Sequence, residues 1–371
     1  MKIHSIETFS TQHVSITRVT TDTGAIGWGQ ISTYYSDISA MVLHRQVAQH
    51  ALGQDVSDLA AIDSLADRIT ELEFKFPGSY VRRALGGIDT ALWDLHGKLA
   101  GRSVCELLGG EPRMFPVYAS SMRRDITPGD EARRLAELAE KDGYTAFKFR
   151  IGSEVGHDQD EWPGRTEAIV PAVRKALGDD MRLLVDANLC YSPKKAIEIG
   201  HFLNDHGVIH FEEPCPYWEY EQTADVTRAL AELPIEVTGG EQDCQLPIWR
   251  RMIKMRAIDV VQPDILYMGG LSRTLRVVQM AQEAGLVCTP HSANRGLVTI
   301  FSLHMLGAIK NAGPYVELEI EGSPYYEWQD GIYDPVIETI DGKVQIPDGP
   351  GWGVDIRPEW LEQANYQISS L

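Results

Sequence analysis

Three acidic residues stand at the ends of three successive apolar segments, an arrangement that suggests a metal site. Asp186 ends the segment LLVD, Glu212 ends IHFE and Glu241 ends VTGGE. Helix-length stretches separate these segments, so each segment is predicted to be a buried parallel strand. Carboxylates that end adjacent parallel strands converge, and they raise one another's pKa unless a hard divalent cation neutralises them. The sequence therefore predicts a Mg²⁺ site built by Asp186, Glu212 and Glu241.

Two other interpretations of these carboxylates stay open. A shift of one residue reverses the direction in which a strand side chain points, so Glu213 could replace Glu212 as the ligand. The carboxylates could also be separate caps for the helices that follow each strand. The cap interpretation leaves unexplained why three successive strands end alike, and we therefore favour the metal site.

Two cationic residues lie in another short apolar segment, FKFR, where Lys148 and Arg150 alternate with Phe147 and Phe149. Because side chains alternate along a strand, the two cations share one side and the two phenylalanines share the other. The cations are candidates for catalysis and for binding an anionic substrate, or they could form structural ion pairs with nearby carboxylates. Arginine is effectively always protonated, so Arg150 is predicted to bind oxygen and not to accept a proton.

Three later apolar segments also carry ionisable residues. Asp264 ends VQPD, His291 ends TPH, and both Glu317 and Glu319 lie in VELE. Asp264 can accept a hydrogen bond from one imidazole nitrogen, which fixes the tautomer and leaves the other nitrogen free to take a proton. His291 is therefore the candidate base, with a buried structural histidine as the alternative. Glu317 and Glu319 share strand parity, so the sequence does not decide which of them faces the site.

These residues must be positioned by a repeating β/α chain. The strand candidates are 117–120, 145–151, 182–187, 208–213, 235–241, 260–264, 287–291 and 315–320. The amphipathic helical patterns between them include 131–141, 165–177, 193–205, 247–255 and 272–284. Strands that alternate with helices in this way are typical of a barrel whose catalytic groups lie at the C-terminal ends of the strands. The predicted fold is α/β, a modified TIM barrel of the form (β/α)7β over residues 115–346.

The chain before the barrel has a different pattern. Strand candidates at 2–9, 14–19 and 25–31 precede helical patterns at 39–52, 59–72 and 80–108, which predicts an α+β capping domain over residues 1–114. The final stretch, 347–371, is expected to return and pack on this domain. Tyr34 and Tyr35 follow the third strand and could belong to a lid over the barrel mouth.

The composition fits a large enzyme and excludes some partners. The chain has 371 residues, is 43% hydrophobic and carries a formal net charge of −19, which argues against a nucleic-acid or membrane-surface partner. Its five cysteines are scattered without a C-x-x-C pair, which favours reduced thiols. No signal-peptide pattern or membrane-length apolar stretch is found, and a cytoplasmic location is predicted.

The order of these residues resembles the enolase superfamily, and specifically its mandelate racemase subgroup. The resemblance spans nearly the whole chain. It is carried by Lys148-x-Arg150, Asp186-x-Asn188, Glu212-Glu213-Pro214, Gly240-Glu241, Gln262-Pro263-Asp264, Gly269-Gly270, His291, Glu317 and the N-terminal stretch ALGGIDTALWDLHGK at 84–98.

The resemblance implies a role for each matching residue. Asp186, Glu212 and Glu241 would be the Mg²⁺ ligands. Asp264 and His291 would form a catalytic dyad, and Glu317 would contact the substrate carboxylate. A histidine on the seventh strand, with no lysine on the sixth, separates the chain from the branches similar to muconate cycloisomerase and dipeptide epimerase. Relatives commonly form symmetric oligomers, so a homo-oligomer is expected.

Arg150 departs from the commonest pattern of the subgroup, in which a second lysine serves as a base on the face opposite the histidine. Racemisation needs a base on each face, so unless Lys148 supplies one, a one-face reaction is favoured. That reaction is dehydration of a sugar acid. His291 removes the C2 proton and the C3 hydroxyl leaves with help from an acid, either His291 itself or Lys148. The product is a 2-keto-3-deoxy acid.

Three functions follow from this reasoning. The first is a Mg²⁺-dependent acid-sugar dehydratase, a hydro-lyase, with an aldarate such as galactarate ranked slightly ahead of an aldonate. The second is a racemase or epimerase of a hydroxy acid, and the third is a catalytically silent barrel that acts as a binding or scaffold protein. Asn188 lies two residues after a predicted ligand, on the same side, and is predicted to touch the substrate. Relatives with histidine there use it as an acid, so their specificities are not expected here.

Overall fold

An antiparallel sheet with strand order β15-β1-β2-β3 forms one side of the N-terminal region. The computed structural model describes residues 1–322 and 325–371. The sheet strands are β1 (Ile3–Ser10), β2 (Ser15–Thr21), β3 (Ile26–Ile31) and, from the C-terminal segment, β15 (Asn365–Ser370). β15 pairs antiparallel with β1, from Ser5 opposite Ser370 to Ser10 opposite Asn365. The end of the chain thus extends the N-terminal sheet.

Helices cover the other side of this sheet. They are α1 (Ser36–Val42), which continues through a π-helical turn (Leu43–Val47) into α2 (Ala48–Ala51), then α3 (Leu59–Leu72), α4 (Ser79–Ala100) and α5 (Val104–Leu107). α4 packs closely on β3 because Gly27 and Gly29 lack side chains. A Cβ at Gly27 would lie 2.0 Å from the carbonyl oxygen of Ala91.

The helix predicted over 80–108 is divided in two in the structure. Gly101 adopts a left-handed conformation (φ 62°) and ends α4, as C-terminal glycines commonly do. Ser103 then caps α5 through a capping box with Glu106. The apolar residues keep a helical spacing across the break, so the periodicity alone predicted one helix. The glycine that ends α4 and the serine that caps α5 are the local signals that divide it.

Among the described residues, eight parallel strands form the barrel, in the order β10-β9-β8-β7-β6-β5-β4-β11. They are β4 (Met114–Ser120), β5 (Ala146–Arg150), β6 (Arg182–Asp186), β7 (Val208–Glu212), β8 (Glu236–Gly239), β9 (Val260–Val261), β10 (Val287–Cys288) and β11 (Val316–Glu319). A parallel bridge between Cys288 and Ala312 links β10 to the segment before β11. All the strands predicted for this region are present, with shorter bounds for several.

The barrel helices surround these strands. They are α6 (Pro128–Asp142), α7 (Arg165–Leu177), α8 (Pro193–Asp205), α9 (Tyr220–Leu230), α10 (Leu246–Met255), α11 (Ile265–Met268), α12 (Leu271–Glu283) and α13 (Leu297–Leu306). After β11 come a 3₁₀ turn (Glu327–Gln329), β12 (Tyr333–Asp334), β13 (Lys343–Gln345), β14 (Asp355–Ile356) and α14 (Pro358–Gln363). Among the described residues, no helix has the length and apolar character needed to cross a membrane.

Side-chain alternation in β5 follows the prediction. Phe147 and Phe149 pack in the apolar layer between strands and helices. Ala146 packs inside the barrel with Tyr118 and Leu184. Because Ala146, Lys148 and Arg150 alternate with the phenylalanines, both cations point into the barrel, near its C-terminal end. Both faces of a parallel barrel strand are buried, one inside the barrel and the other under the helices. The strands are therefore mostly apolar and do not alternate between a polar and an apolar side.

Candidate active site at the C-terminal end of the barrel

Strand register brings three of the predicted site residues into one layer. Arg150 of β5 pairs with Asp186 of β6, and Asp186 pairs with Glu212 of β7. Paired residues on adjacent parallel strands lie about 4.8 Å apart and point to the same face. The three side chains are all at least nine-tenths buried, since Arg150 is 7% exposed and the two carboxylates are 1% exposed.

Lys148 lies at the centre of a group of buried carboxylates. Its Nζ is 2.9 Å from both carboxylate oxygens of Glu212, 2.6 Å from Oε1 of Glu317 and 4.0 Å from Oδ2 of Asp186. Burial alone would lower the pKa of Lys148, but the charges of Glu212 and Glu317 outweigh burial and raise it. Lys148 is therefore an ammonium group with carboxylates on several sides, which is the ion-pair arrangement that the sequence had left open.

Arg150 contacts Asp186 and also reaches Asn188, in the turn after β6. Its Nη1 donates to Asp186 Oδ2 and, at 2.9 Å, to Asn188 Oδ1. Asn188 Nδ2 donates to Asp186 Oδ2 at 3.1 Å. The structure thus places Asn188 in the site, where its amide holds the Arg150 guanidinium beside a predicted metal ligand.

Asp264 and His291 form the hydrogen-bonded pair that the sequence predicted. His291 Nδ1 lies 2.9 Å from Asp264 Oδ2, while Asp264 Oδ1 accepts from the backbone N–H groups of Leu266 and Tyr267. These bonds fix the carboxylate, so the ring nitrogen that faces Asp264 is the N–H donor. The other ring nitrogen, Nε2, lies 3.3 Å from Oε2 of Glu241.

The charge of Glu241 strongly affects His291. Burial would lower the pKa of His291, but the Glu241 carboxylate, the hydrogen bond to Asp264 and the charge of Glu317 raise it to about 10. Glu241 contributes most to this rise, and a cation bound at Glu241 would offset its charge. The geometry thus links the candidate base to a predicted metal ligand.

The structure separates Glu317 from Glu319, which the sequence could not do. Glu317 accepts from Ser120 Oγ at 2.7 Å and from the Ser292 N–H at 3.0 Å, in addition to its contact with Lys148. Glu319 instead accepts from Gln329 Nε2 at 2.8 Å and from the Gly322 N–H at 2.9 Å. Glu317 therefore belongs to the group around Lys148, and Glu319 stabilises the loop after β11.

A cavity of about 450 Å³ opens above these residues. Its lining comprises Tyr34, Tyr35, Ser79, Tyr80, Arg83, Met122, Arg124, Arg150, Glu154, Asn188, Leu189, Glu213, Glu241, Gln242, Tyr267, His291, Ala293, Asn294, Tyr325 and Tyr326. Tyr34 and Tyr35 of the N-terminal region line this cavity, and their role as a lid stays a prediction. A larger groove of about 1150 Å³ lies at the opposite end of the strands, near Arg182 and Glu236, and none of the predicted site residues lines it.

The donor set fits a hard divalent cation. In the described residues no three His, Cys, Asp or Glu side chains are already arranged to hold a metal ion. Six buried carboxylates of the described residues nevertheless lie at the site, where the cations are Lys148, Arg150, Arg124 and His291. The carboxylates therefore outnumber the cations. The six are Asp186, Glu212, Glu213, Glu241, Asp264 and Glu317.

Glu213 shows this excess of negative charge most directly. Its Oε1 is buried without a hydrogen-bond partner in the described residues, and an unpaired buried carboxylate oxygen is costly. Burial and the charges of Glu241 and Glu212 raise the pKa of Glu213 well above its usual value. Glu213 also lines the cavity, so the choice between Glu212 and Glu213 as a ligand stays open.

Sequence reasoning missed two arginines in the cavity. Arg124 lies four residues beyond the end of β4, the one barrel strand for which no ionisable group had been noted. Arg83 belongs to α4, and its guanidinium stacks 3.6 Å above the ring of Tyr267. The strand-end rule could have found Arg124, whereas Arg83 is brought to the cavity only by the packing of α4 on the barrel.

Comparisons with known proteins decide the family. Residues 2–109 match the family described as mandelate racemase / muconate lactonizing enzyme, N-terminal domain, and residues 130–360 match the family described as enolase C-terminal domain-like. The chain belongs to the enolase superfamily, in its mandelate racemase subgroup. The predictions of this subgroup and of a modified TIM barrel with a capping domain are confirmed.

Similar proteins of this superfamily include several sugar-acid enzymes. The chain is 28% identical to arabinonate dehydratase of Saccharolobus solfataricus, over 94% of this chain and 89% of that protein. It is 30% identical to D-galactarolactone cycloisomerase of Agrobacterium fabrum, over 92% and 88% of the two chains. A solved structure from Roseobacter denitrificans, described as a possible racemase, is 60% identical with a TM-score of 0.97 and full coverage of both chains. Relatives named as dehydratases, such as the arabinonate enzyme, confirm the prediction of a lyase.

Proposed function

We propose that the protein is a Mg²⁺-dependent acid-sugar dehydratase that converts its substrate to a 2-keto-3-deoxy acid. One observation carries this proposal. Beyond the ends of β9 and β10, the site holds a carboxylate, Asp264, and its imidazole partner, His291. The facing wall, on β5, holds Lys148 and Arg150, each bonded to carboxylates. One wall can take a proton and the other stabilises negative charge, which favours elimination over racemisation.

His291 is the proposed base. The hydrogen bond from Nδ1 to Asp264 leaves Nε2 on the cavity side. Once the charge of Glu241, which raises the pKa of His291, is offset, Nε2 can remove the proton α to the substrate carboxylate. Removal of that proton adds a second negative charge to a group that is already anionic. Enolase-superfamily sites generally combine a His or Lys base with Mg²⁺ to stabilise this charge. Asp186, Glu212 and Glu241 would hold the ion here, with Glu213 as the alternative to Glu212.

The wall opposite His291 is suited to binding charge. Arg150 keeps its proton at neutral pH and can donate hydrogen bonds to anionic or hydroxyl oxygen. Lys148 lies below the cavity lining with Glu317 beside it, and there it would bind the substrate carboxylate or protonate the departing C3 hydroxyl. The alternative acid is His291, which would return its own proton to the leaving group on the same face. The resulting enol tautomerises to the 2-keto-3-deoxy acid.

Two neighbouring activities of the superfamily are distinguished by their products. A racemase or epimerase would exchange the C2 proton and return an intact hydroxy acid, and the similarity to the Roseobacter protein makes this the second candidate. A lactone isomerase would act on a cyclic substrate, as the name of the Agrobacterium relative indicates. Only a dehydratase loses water from an open-chain acid.

The test is a screen of sugar acids in the presence of Mg²⁺. Aldarates, aldonates and galactarolactone would be incubated with the protein in deuterium oxide and followed by proton NMR. We expect a 2-keto-3-deoxy product, and an aldarate such as galactarate should be turned over faster than the corresponding aldonate. Deuterium at C2 of unreacted acid without a keto product would instead show a racemase or epimerase. A protein that neither reacts nor binds Mg²⁺ would be a scaffold.

A further inference from the structure

Arg124 differs from Lys148 and Arg150 because no carboxylate of the described residues pairs with it. The loop after β4 places it on the cavity lining, where its Nη2 donates to Asn188 Oδ1 at 2.7 Å and its Nε to the Gly152 carbonyl oxygen at 3.3 Å. Lys148 and Arg150 each contact at least one carboxylate. In the described part of the chain, no Asp or Glu oxygen lies within ion-pair distance of Arg124.

Arg124 is also held beside a second guanidinium. Arg150 Nη1 lies 2.9 Å from Asn188 Oδ1, the same oxygen that accepts from Arg124. Burial and the neighbouring charge of Arg150 lower the pKa of Arg124 to about 10, so the group is still a cation at neutral pH. Two adjacent guanidinium groups repel each other, and an anion bound to Arg124 would relieve this repulsion.

The place of Arg124 in the barrel indicates which anion it would meet. The strand order puts β4, β5 and β6, with Arg124, Arg150 and Asn188, across the mouth from the β9 and β10 ends that carry Asp264 and His291. A sugar acid whose C2 lies at His291, with Arg150 on its opposite face, can therefore extend past Arg150 toward Arg124. The far end of the molecule is where an aldarate carries its second carboxylate and an aldonate carries a neutral hydroxymethyl group.

We infer that Arg124, positioned by Asn188 beside Arg150, is the subsite for the second carboxylate of a dicarboxylic sugar acid. This inference rests on the proposed function and sharpens it, since it names aldarates as the substrate class. A guanidinium can bind a carboxylate through two parallel hydrogen bonds, and such charged bonds change affinity by about 10- to 100-fold. Asn188 acts as a positioning residue, because its oxygen accepts from both arginines.

The test compares acids that differ only at the far end. Galactarate and galactonate, glucarate and gluconate, and mannarate and mannonate would be titrated calorimetrically in Mg²⁺ into the His291→Asn protein, in which turnover does not disturb binding. We expect the aldarate of the preferred pair to bind at least about 10-fold more tightly than its aldonate. Arg124→Gln should abolish this preference by weakening aldarate binding alone, and Arg124→Lys should retain part of it.

Arg123→Gln is the matched control, because it removes the same charge one residue away. Arg123 pairs with the exposed Asp125 and does not line the cavity, so its loss should leave the aldarate preference unchanged. Thermal melting would verify that each variant is folded. If Arg124→Gln does not fold, the aldarate preference of Arg124→Lys is compared with that of the parent protein, and a partial loss of the preference supports the inference.

Two outcomes would overturn the inference. One is that no aldarate binds more tightly than its aldonate, and the other is that Arg124→Gln weakens both members of a pair equally. Neither outcome depends on turnover. The dehydratase proposal fails separately, if the wild-type protein forms no keto acid from any member of the panel.

Discussion

Lys148 Nζ lies 2.9 Å from both carboxylate oxygens of Glu212, and this ion pair is fully buried beneath the site. A buried ion pair contributes little net stability, but removal of one partner leaves the other charge unpaired at a cost of about 3–5 kcal/mol. Lys148 therefore compensates part of the negative charge that a metal ion would also compensate. The relationship predicts that the lysine and the metal act on the same carboxylates.

Lys148→Gln should lower the melting temperature in the absence of metal, because Glu212 and Glu317 lose their shared cation. Mg²⁺ should raise the melting temperature of this variant by more than it raises that of the wild type. Differential scanning calorimetry with EDTA and with Mg²⁺ measures both effects. An equal Mg²⁺ shift in the two proteins would show that Glu212 does not contribute to metal binding.

His291→Asn should abolish exchange of the C2 proton, since asparagine cannot accept it. Loss of a general base typically costs about 100- to 10,000-fold in rate. Mg²⁺ affinity should not fall, because His291 is not a predicted ligand and its loss removes a positive charge beside Glu241. Proton NMR in deuterium oxide follows the exchange, and calorimetry measures the metal. Turnover at the wild-type rate would exclude His291 as the base.

Glu241→Gln should weaken Mg²⁺ binding by at least about 10-fold, because a neutral amide replaces an anionic ligand. Glu236→Gln is the matched control, since Glu236 begins the strand at whose far end Glu241 lies. The Glu236→Gln protein should bind Mg²⁺ with the dissociation constant of the wild type. An unchanged constant in Glu241→Gln would remove that residue from the ligand set.

Arg150→Lys should introduce an amine that can lose its proton on the face opposite His291. We expect slower dehydration and the appearance of C2-epimerised substrate, which the wild type should not form. Chiral chromatography or NMR of recovered substrate detects the epimer, and Arg123→Lys serves as the control. Epimer formed by the wild type would mean that Lys148 already supplies a second base.

Asp89 should make stability depend on pH. This α4 residue is 1% exposed, accepts from the Ser272 N–H at 3.3 Å, and has its pKa raised by burial from 3.8 to about 7. Because the folded state favours the protonated form, its stabilising contribution is complete below pH 3.8 and is lost as pH rises through about 7. The loss is on the order of 1.4 kcal/mol per pH unit within that window.

Asp89→Asn should remove this dependence, since the amide oxygen can still accept from Ser272. Melting temperatures of the wild type and variant, measured between pH 5 and 8, should diverge as pH rises, in favour of the variant. For Asp180→Asn, at an exposed carboxylate, the curve of melting temperature against pH should be parallel to that of the wild type. Parallel curves for Asp89→Asn as well would mean that Asp89 titrates normally in the folded protein.

Much of the fold could be predicted from the sequence because its signals are local. Helix-length stretches between short apolar segments gave the alternating barrel, and helices α7 and α8 begin and end where the pattern predicted. Side-chain alternation placed Lys148 and Arg150 on one side of β5. The strand-end rule collected Asp186, Glu212, Asp264 and His291 at one rim, because parallel strands share the same end.

Tertiary structure decided which of these residues touch one another. Glu317 and Glu319 have the same strand parity, and only packing brings Glu317 to Lys148 and Glu319 to Gln329. Arg124 reaches the cavity through the path of a loop, which side-chain periodicity does not describe. The sequence by itself determined the types of residue at the barrel rim, since strand direction and alternation repeat along the chain. Their partners and their charge compensation depend on distances across the barrel, which only the closed fold sets.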